Sequence, residues 1–452
     1  MDAAQLRLHS PQPREIALTC DRPWEENGPG YATVIQDGET YRMYYRANPG
    51  GQGRDEDPTQ VTCYAESSDG IHWHKPELGI IEFNGSKQNN IIWQGTMSHN
   101  FTPFRDDNPS CPPEHRYKAV GGCKAEWGGE DLVSAVSGDG IHWERFGEAP
   151  LPLEGNVDSQ NAVFWDSRAG LYRAYWRVHR RDDPTVPDGR DIATATSPDF
   201  LNWSEPQFLA YPGSPDEELY TNQIQPYYRA PHIHVGFPMR YVEGRGTLTE
   251  WHEKKAEEVP GRSYTSYTDG LFMSSRDGRT FQRWGDAFIR PGMPESTQWH
   301  YGAGHQGYGL VETASDEPAA PNDLSIYVVQ RYRRDNPAIV RYTLRLDGFV
   351  SVNAPFSGGE MVTKPVTFKG DNLFLNMATS AAGSVRVEIQ DAAGTSIPGF
   401  TMNDGPVLFG NAIDKQVTWK GGRTLSELAG QPTRLRFTPA DADLYAFQFV
   451  QS

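Results

Sequence analysis

The sequence predicts an all-β chain: a five-bladed β-propeller over residues 1–352, followed by a β-sandwich over 353–452. Three observations carry this expectation. A turn motif recurs five times at intervals of 60–78 residues. Aromatic residues make up 12% of the chain, and its 45 Gly and 34 Pro are spread along the whole length, as many short strands joined by many turns require. Beyond residue 352 the motif stops, while alternating strand patterns continue.

The motif reads S-S-D-G-I-H-W at 67–73, S-G-D-G-I-H-W at 137–143, S-P-D-F-L-N-W at 197–203 and S-R-D-G-R-T-F-Q-R-W at 275–284, with a degenerate L-R-L-D-G-F at 344–349. Its chemistry is that of a turn. Gly accepts positive φ, and the Asp side chain caps the turn backbone. The motif is therefore structural and marks the hairpin between the outer strands of each blade, with its Trp packed between neighbouring units. Five units of four strands, closed radially, leave only short and protected strand edges. A second repeat supports the first: Y-R-M-Y-Y-R at 41–46, Y-R-A-Y-W-R at 172–177, V-G-F-P-M-R at 235–240 and I-Y-V-V-Q-R at 326–331 each end a strand on arginine. The second unit, R-Y-K-A-V-G-G at 116–122, has glycine there instead.

The junction S-V-N-A-P-F-S-G-G-E at 351–360 is rich in turn formers. After it come M-V-T-K-P-V-T-F, N-L-F-L-N-M, S-V-R-V-E-I, Q-V-T-W, T-R-L-R-F and L-Y-A-F-Q-F, a set of alternating strands that suits a sandwich. Asp441 and Asp443 precede the last strand. They could bind a structural calcium ion but read first as solvated turn acids, and no cofactor is required.

Composition narrows the function classes. With 42 Lys and Arg against 59 Asp and Glu, the net charge is −17, which argues against coating nucleic acid or an anionic membrane. No apolar run is long enough to span a bilayer. Four cysteines do not make a disulfide scaffold at this size. They read as free or half-buried thiols, although Cys111 and Cys123 could flank a hairpin. The N-terminus shows no apolar signal segment. The compartment stays open: periplasmic or secreted if a signal has been trimmed, otherwise cytoplasmic. The oligomeric state is likewise open.

The segment V-D-S-Q-N-A-V-F-W-D-S-R-A-G-L-Y-R-A-Y-W at 157–176 resembles the blade opening of the five-bladed propeller glycosidases, the arabinanase and xylosidase group together with the invertase and levansucrase group. The S-x-D-G-I-H-W-x-K-P-x-L-G run at 67–79 is similar to bacterial proteins of that superfamily. The resemblance covers roughly residues 15–350. It implies a glycoside hydrolase cleaving an oligo- or polysaccharide with funnel carboxylates: an acid in the first blade, one in the second and a later glutamate as proton donor. This sequence departs from that pattern, with Glu25 and Glu26 in the first opening, and His99 and Asn100 in the second, where Asp106 and Asp107 come later.

In a propeller the inner strand of each blade lines the central funnel, which makes the polar residues at the five openings the candidates. Two carboxyl groups are needed for glycoside hydrolysis. Asp158 and Glu26 are the expected working pair, with turn capping and a solvated loop as their alternatives. Glu218, beside Glu217, is the next candidate for general acid. Asn100, Gln160, Asn222, Gln223 and His305 are expected to bind substrate; the glycines around His305 allow close backbone approach. Arg46, Arg177, Arg240 and Arg331 recur at equivalent strand ends, with His179 two residues beyond Arg177. If they converge, they would bind carboxylate, sulfate or phosphate bidentately; inter-blade ion pairs are the alternative. The expected substrate is therefore an acidic or sulfated saccharide. The rival expectations are a glycoside phosphorylase of the same fold, a sialidase-like enzyme and a non-catalytic carbohydrate-binding propeller. No metal site is expected at the funnel.

Overall fold

A computed structural model describes the chain except residues 27, 50–59, 124–130, 181–188, 259–260, 294–298, 333–335 and 452, and the side chains of 123 and 148. It is nearly all β. The chain divides into two compact units. One comprises Pro11–Ala314 and Leu324–Thr343; the other comprises Met1–Ser10, Ser315–Asp323 and Leu344–Ser452.

The larger unit holds five four-stranded antiparallel sheets. The first runs Gly30–Asp37, Thr40–Ala47, Val61–Ser67, Ile91–Gln94, and the second Thr102–Arg105, Tyr117–Cys123, Asp131–Ser137, Glu144–Leu151. The third runs Ala162–Asp166, Leu171–His179, Arg190–Ser197, Gln207–Phe208, and the fourth Gln225–Tyr227, Ala230–Gly236, Met273–Ser275, Gln282–Arg283. The fifth runs Val311–Thr313, Asp323–Gln330, Ala338–Arg345 and takes its outer strand, Gln12–Thr19, from the start of the chain.

The repeated turns sit between the third and fourth strands of the first four sheets, and their chemistry is local. Asp69 Oδ1 accepts from the N–H groups of Ile71 and His72, both at 2.8 Å, while Ser67 Oγ accepts from Gly70 N at 2.9 Å. Gly70 takes φ +71°, where glycine carries no steric cost. Asp139, Asp199 and Asp277 cap their turns the same way. Three of the four turns are then fastened to the sheet beside them. Tyr44 of the first sheet donates to Gly140 O, Tyr175 of the third to Gly278 O, and Tyr327 of the fifth to Gly70 O of the first. The ring of Trp73 stands edge-on to Tyr327 and that of Trp143 edge-on to Tyr44, so the motif tryptophans pack between neighbouring sheets.

Tyr308 N donates to Ala32 O and Val34 N to Tyr308 O, each at 2.8 Å, joining the segment before the fifth inner strand to the first. A cavity of about 560 Å³ is lined by Val34–Gln36, Phe104, Phe164 and Gln225 of the first four inner strands and by Tyr308 of the segment before the fifth, among others. Between Gly236 and Met273 the fourth sheet is interrupted. Met239–Val242 leaves it to pair with Glu218–Leu219 and Tyr267–Gly270 in a separate three-stranded sheet. The insertion also carries the one α-helix among the described residues, Glu250–Glu258, nine residues long.

The smaller unit is a six-stranded antiparallel sheet dominated by Asn372–Asp391 and Thr433–Val450, which pair along their length. Alternate residues of both, among them Leu373, Leu375, Val387, Ile389, Leu435 and Phe437, form its core. Gln5–Leu8 adds an edge by pairing with Val350–Ala354.

Cys20, Cys63 and Cys111 are free thiols, the first two buried; the Cys123 side chain, and with it the suggested Cys111–Cys123 pairing, lies outside the described residues. Among the described residues no helix is long and apolar enough to cross a membrane, and no group of three or more His, Cys, Asp or Glu side chains could hold a metal ion. Asp443 instead accepts from Ser351 Oγ and Asn353 Nδ2, at 2.6 and 3.0 Å.

Candidate functional site

The site gathers where the chain enters the inner strands of the larger unit. Asp158, just before the third inner strand, is partly exposed (29%) and lies between two basic side chains. His99 Nε2 is 2.8 Å from its Oδ1, and Arg177 Nη2 is 3.7 Å from its Oδ2. Gln60 Oε1 faces His99 Nδ1 at 2.9 Å. Arg46 Nη1 sits 3.2 and 3.3 Å from the two ring nitrogens, and its Nη2 donates to Tyr332 Oη at 2.7 Å. Arg46 is held in part by a glycine. Gly30 lies opposite it across the strand pair, and a Cβ there would come within 2.6 Å of the guanidinium.

Tyrosines wall this group. Arg46 lies over Tyr31, with its central carbon 4.9 Å from the ring centroid, and Arg177 over Tyr220 at 4.7 Å. Arg190 lies over Tyr241 at 4.4 Å and Arg262 over Tyr301 at 4.3 Å. Guanidinium groups on aromatic faces keep their charge in a desolvated site. The hydroxyls of Tyr220 and Tyr301 are hydrogen-bonded to one another, and Arg262 Nη2 donates to Tyr301 Oη at 3.0 Å. His305 stacks on Tyr31 and Tyr332.

Burial sets the charge states. It drives the His305 imidazole down to about 3, with Arg46 adding to the effect, so this ring is neutral and serves as a hydrogen-bonding group. Burial also pushes the Tyr31 and Tyr301 hydroxyls well up, so both remain protonated. For Arg177 burial opposes the charge, but Tyr220, Asp158 and Tyr31 outweigh it and the net shift is upward.

The expected residues divide into distinct sets. Asp158, Arg46, Arg177 and His305 come together. Glu218 joins them through Arg190, whose Nη1 is 2.5 Å from its Oε2 and whose ring partner Tyr220 also carries Arg177. Glu26 is exposed on the approach to the first inner strand. Its neighbour Glu25 is fully buried, accepting from Lys75, Tyr45 and the N–H groups of Asp21 and Arg22, and holds that loop rather than a ligand.

Asn100, Gln160, Asn222 and Gln223 are buried and spend their amides largely on the chain. Asn100 Nδ2 donates to Val157 O and Ser159 O; Gln160 Nε2 donates to Ala32 O and Thr33 Oγ1; Asn222 Nδ2 donates to Tyr175 O; Gln223 Nε2 donates to Gln160 Oε1. His179 lies half-buried at the end of its strand. Arg331 lies just past the strand Asp323–Gln330 at φ +55°, next to Tyr332.

The expectation that Arg240 converges with Arg46 and Arg177 is corrected. Arg240 is engaged by Asp269 at 2.9 and 2.6 Å and by Glu217 at 2.6 Å. The reason is topological: its strand, Met239–Val242, has left the fourth sheet. That network lines an adjoining cavity of about 680 Å³, to which Glu218 and Tyr241 also belong.

Residues that sequence reasoning missed include Tyr31, Arg190, Tyr220, Tyr241, Arg262, Tyr301 and Tyr332. A signal existed for two of them: Tyr220 stands just ahead of Asn222 and Gln223, and Tyr301 stands between His300 and His305, in the polar stretches that open inner strands. Arg190 and Arg262 follow segments with no repeat to place them.

No protein-family model matches the chain. Among curated proteins, an uncharacterized protein of Mycobacterium tuberculosis strain CDC 1551 / Oshkosh is 53% identical over 57 residues. That match covers 12% of this chain and 19% of the relative, and the counterpart in strain ATCC 25618 / H37Rv matches equally. The matched segment thus spans under a fifth of the relatives' length. Among solved structures, a glycoside hydrolase is similar with TM-score 0.47 and 15% identity, covering 74% of this chain and 92% of that one. A structure from work on the mannoside phosphorylase family that contains glycoside hydrolases targeting beta-1,2 mannosidic linkages in Candida mannan has TM-score 0.46 and 14% identity, covering 74% and 94%. An endo-arabinase from Bacteroides thetaiotaomicron has TM-score 0.43 and 8% identity, covering 73% and 98%.

Proposed function

We propose that the chain is a carbohydrate-active enzyme, a glycoside hydrolase that cleaves an acidic or sulfated oligo- or polysaccharide in the funnel of a five-bladed propeller formed by the larger unit, Pro11–Ala314 with Leu324–Thr343, the smaller unit being a separate sandwich-like domain. The observation that carries the proposal is the grouping of Arg46, Arg177, Arg190 and Arg262, on tyrosine faces, beside the half-open carboxylate of Asp158. In a chain of net charge −17 such a group is a built local field for an anion. Aromatic walls with a few fixed polar groups suit a saccharide ring.

Asp158, flanked by His99 and Arg177, suits the role of base or nucleophile, a group that accepts rather than gives a proton. Glu218 is the carboxylate best linked to it and takes the second role. Glu26 remains the outer alternative. The same arginines would seat inorganic phosphate, and this favours phosphorolysis as the second reading. A silent carbohydrate-binding propeller is the third.

The test is turnover on a panel of neutral, uronate and sulfated oligosaccharides, with and without phosphate, by the parent and by Asp158→Asn. Cleavage confined to anionic members, with kcat falling by at least about 10²-fold in the variant, is expected. Cleavage of neutral members alone, or undiminished turnover in the variant, would overturn the reading. Phosphate dependence would select the phosphorylase.

A further inference from the structure

We propose that His99 is the proton-linked cation of an oxyanion seat formed with Arg46 and Arg177, so that capture of an oxyanion beside Asp158 is accompanied by uptake of a proton on the His99 imidazole. This rests on the reading of the pocket as a site for an anionic saccharide and states how the anion is held.

The geometry sets two influences against each other at one ring. Both ring nitrogens face oxygen acceptors, Nε2 toward Asp158 Oδ1 at 2.8 Å and Nδ1 toward Gln60 Oε1 at 2.9 Å. An imidazolium satisfies both; a neutral ring has only one N–H to give. The opposing influence is Arg46. Its Nη1 is almost equidistant from the two ring nitrogens, at 3.2 and 3.3 Å, so the guanidinium lies over the ring and its charge resists a second proton there. The fourth side is closed by the ring of Tyr31, 5.6 Å away. Arg177, 3.7 Å from the other oxygen of Asp158, competes for the same carboxylate.

A second observation points to a missing acceptor. The Arg177 side chain is only 4% exposed, and its Nη1 is buried with no hydrogen-bond partner among the described residues. A guanidinium N–H left without an acceptor in such a place is costly, and an oxyanion would supply the acceptor. The same anion would neutralise the guanidinium charge that opposes protonation of His99. Proton and anion then bind with positive coupling, and the coupling is reciprocal. Where His99 is neutral in the free protein, affinity falls by up to about tenfold for each unit rise in pH. The oxyanion is either a substituent of the saccharide or a free inorganic ion; the chemistry of the seat is the same.

The test is calorimetric titration with sulfate, whose charge is constant from about pH 5.5 to about pH 8.5, the range in which histidine changes charge. Buffers of different ionisation enthalpy report the protons taken up. The full chain should bind sulfate more tightly at low pH, with uptake approaching one proton. His99→Gln should bind more weakly at the acid end and lose the pH dependence. Arg177→Met should bind more weakly throughout and keep it. Glucose 6-sulfate and glucuronate binding more tightly than sulfate would assign the seat to a saccharide substituent; no gain over sulfate would assign it to a free ion. A flat affinity across the range, the same slope in a folded His99→Gln protein, or no sulfate binding at either end would overturn the proposal. Proton-linked sulfate binding by a protein that cleaves no saccharide would instead sink the enzymatic reading and leave this one standing.

Discussion

Replacing Gly30 by Ala should move one guanidinium and little else. Gly30 opens the inner strand of the first sheet and pairs with Arg46 across it. A Cβ at this position would lie 2.6, 2.7 and 2.8 Å from Nη2, Nε and Cζ of Arg46. Ordinary contact is about 3.5 Å, so the guanidinium must retreat by roughly 0.7–0.9 Å. Its bond to Tyr332 Oη is 2.7 Å long, and a retreat of that size takes it to the edge of hydrogen-bonding distance. Hydrogen bonds to charged groups contribute about 1.5–3 kcal/mol, which as lost ligand affinity is about 10–150-fold. Stability should fall by somewhat less. Gly30 is not among the residues at positive φ, so the alanine also gains about 0.4–1 kcal/mol from the narrower unfolded ensemble, offsetting part of the loss. Sulfate titration and thermal melts of parent and variant measure both quantities. Unchanged sulfate affinity in Gly30→Ala would show that Arg46 has room to shift or takes no part in anion binding, and the positioning argument would fail.

The arginines should separate by role: Arg177→Met lowers sulfate affinity with a modest change in melting temperature, whereas Arg240→Met leaves affinity intact and lowers stability, because Asp269 and Glu217 lose their shared partner; equal effects on affinity would reunite the two. Glu25→Gln removes one of the two carboxylates that meet the largely buried Lys75, and chemical denaturation should show a loss of about 1–3 kcal/mol with sulfate binding retained by the folded fraction. The exposed His72–Asp69 pair, 2.8 Å apart, should make stability depend on pH from two sides. The hydrogen bond that the His72 ring donates to Asp69 raises the imidazole, so that part of the stability is complete below the ordinary histidine value near 6.5 and is lost as pH rises through the raised one. Asp69 is held below the usual carboxylate range despite some desolvation, by His72 and by backbone N–H groups, so its part is complete above the ordinary aspartate value and is lost as pH falls through the lowered one. Melts of His72→Gln should therefore fall below the parent at pH about 5 and meet it at pH about 9; a gap of constant size would refute the linkage.

What the sequence disclosed follows from the range of the interactions involved. The Ser-x-Asp-Gly turns were legible because each is made by atoms two or three residues apart, so the letters contain the whole cause. Strand alternation is equally local, and the arginine-ended strands at 41–46 and 172–177 form as the pattern requires. The site is different in kind. His99 meets Asp158 across 59 residues and Arg46 meets Tyr332 across 286, and no periodicity in the letters says which strand ends face one another. Where the units keep step, position within the unit names Arg46, Asp158, Arg177 and His305, which the structure brings near one another. Where a unit departs from the repeat, the guide failed. Arg240 holds the same place in its unit as Arg177 does, but the fourth sheet ends at Gly236 and the chain carries Arg240 into another sheet before returning. The same interruption supplies Arg262 and Tyr241, which no counting could have placed because the other units have no corresponding segment. An irregular unit in a repeating scaffold thus removes one expected arginine from the centre and supplies an unexpected one in its stead, and the charge of the site is preserved by residues that the repeat does not encode.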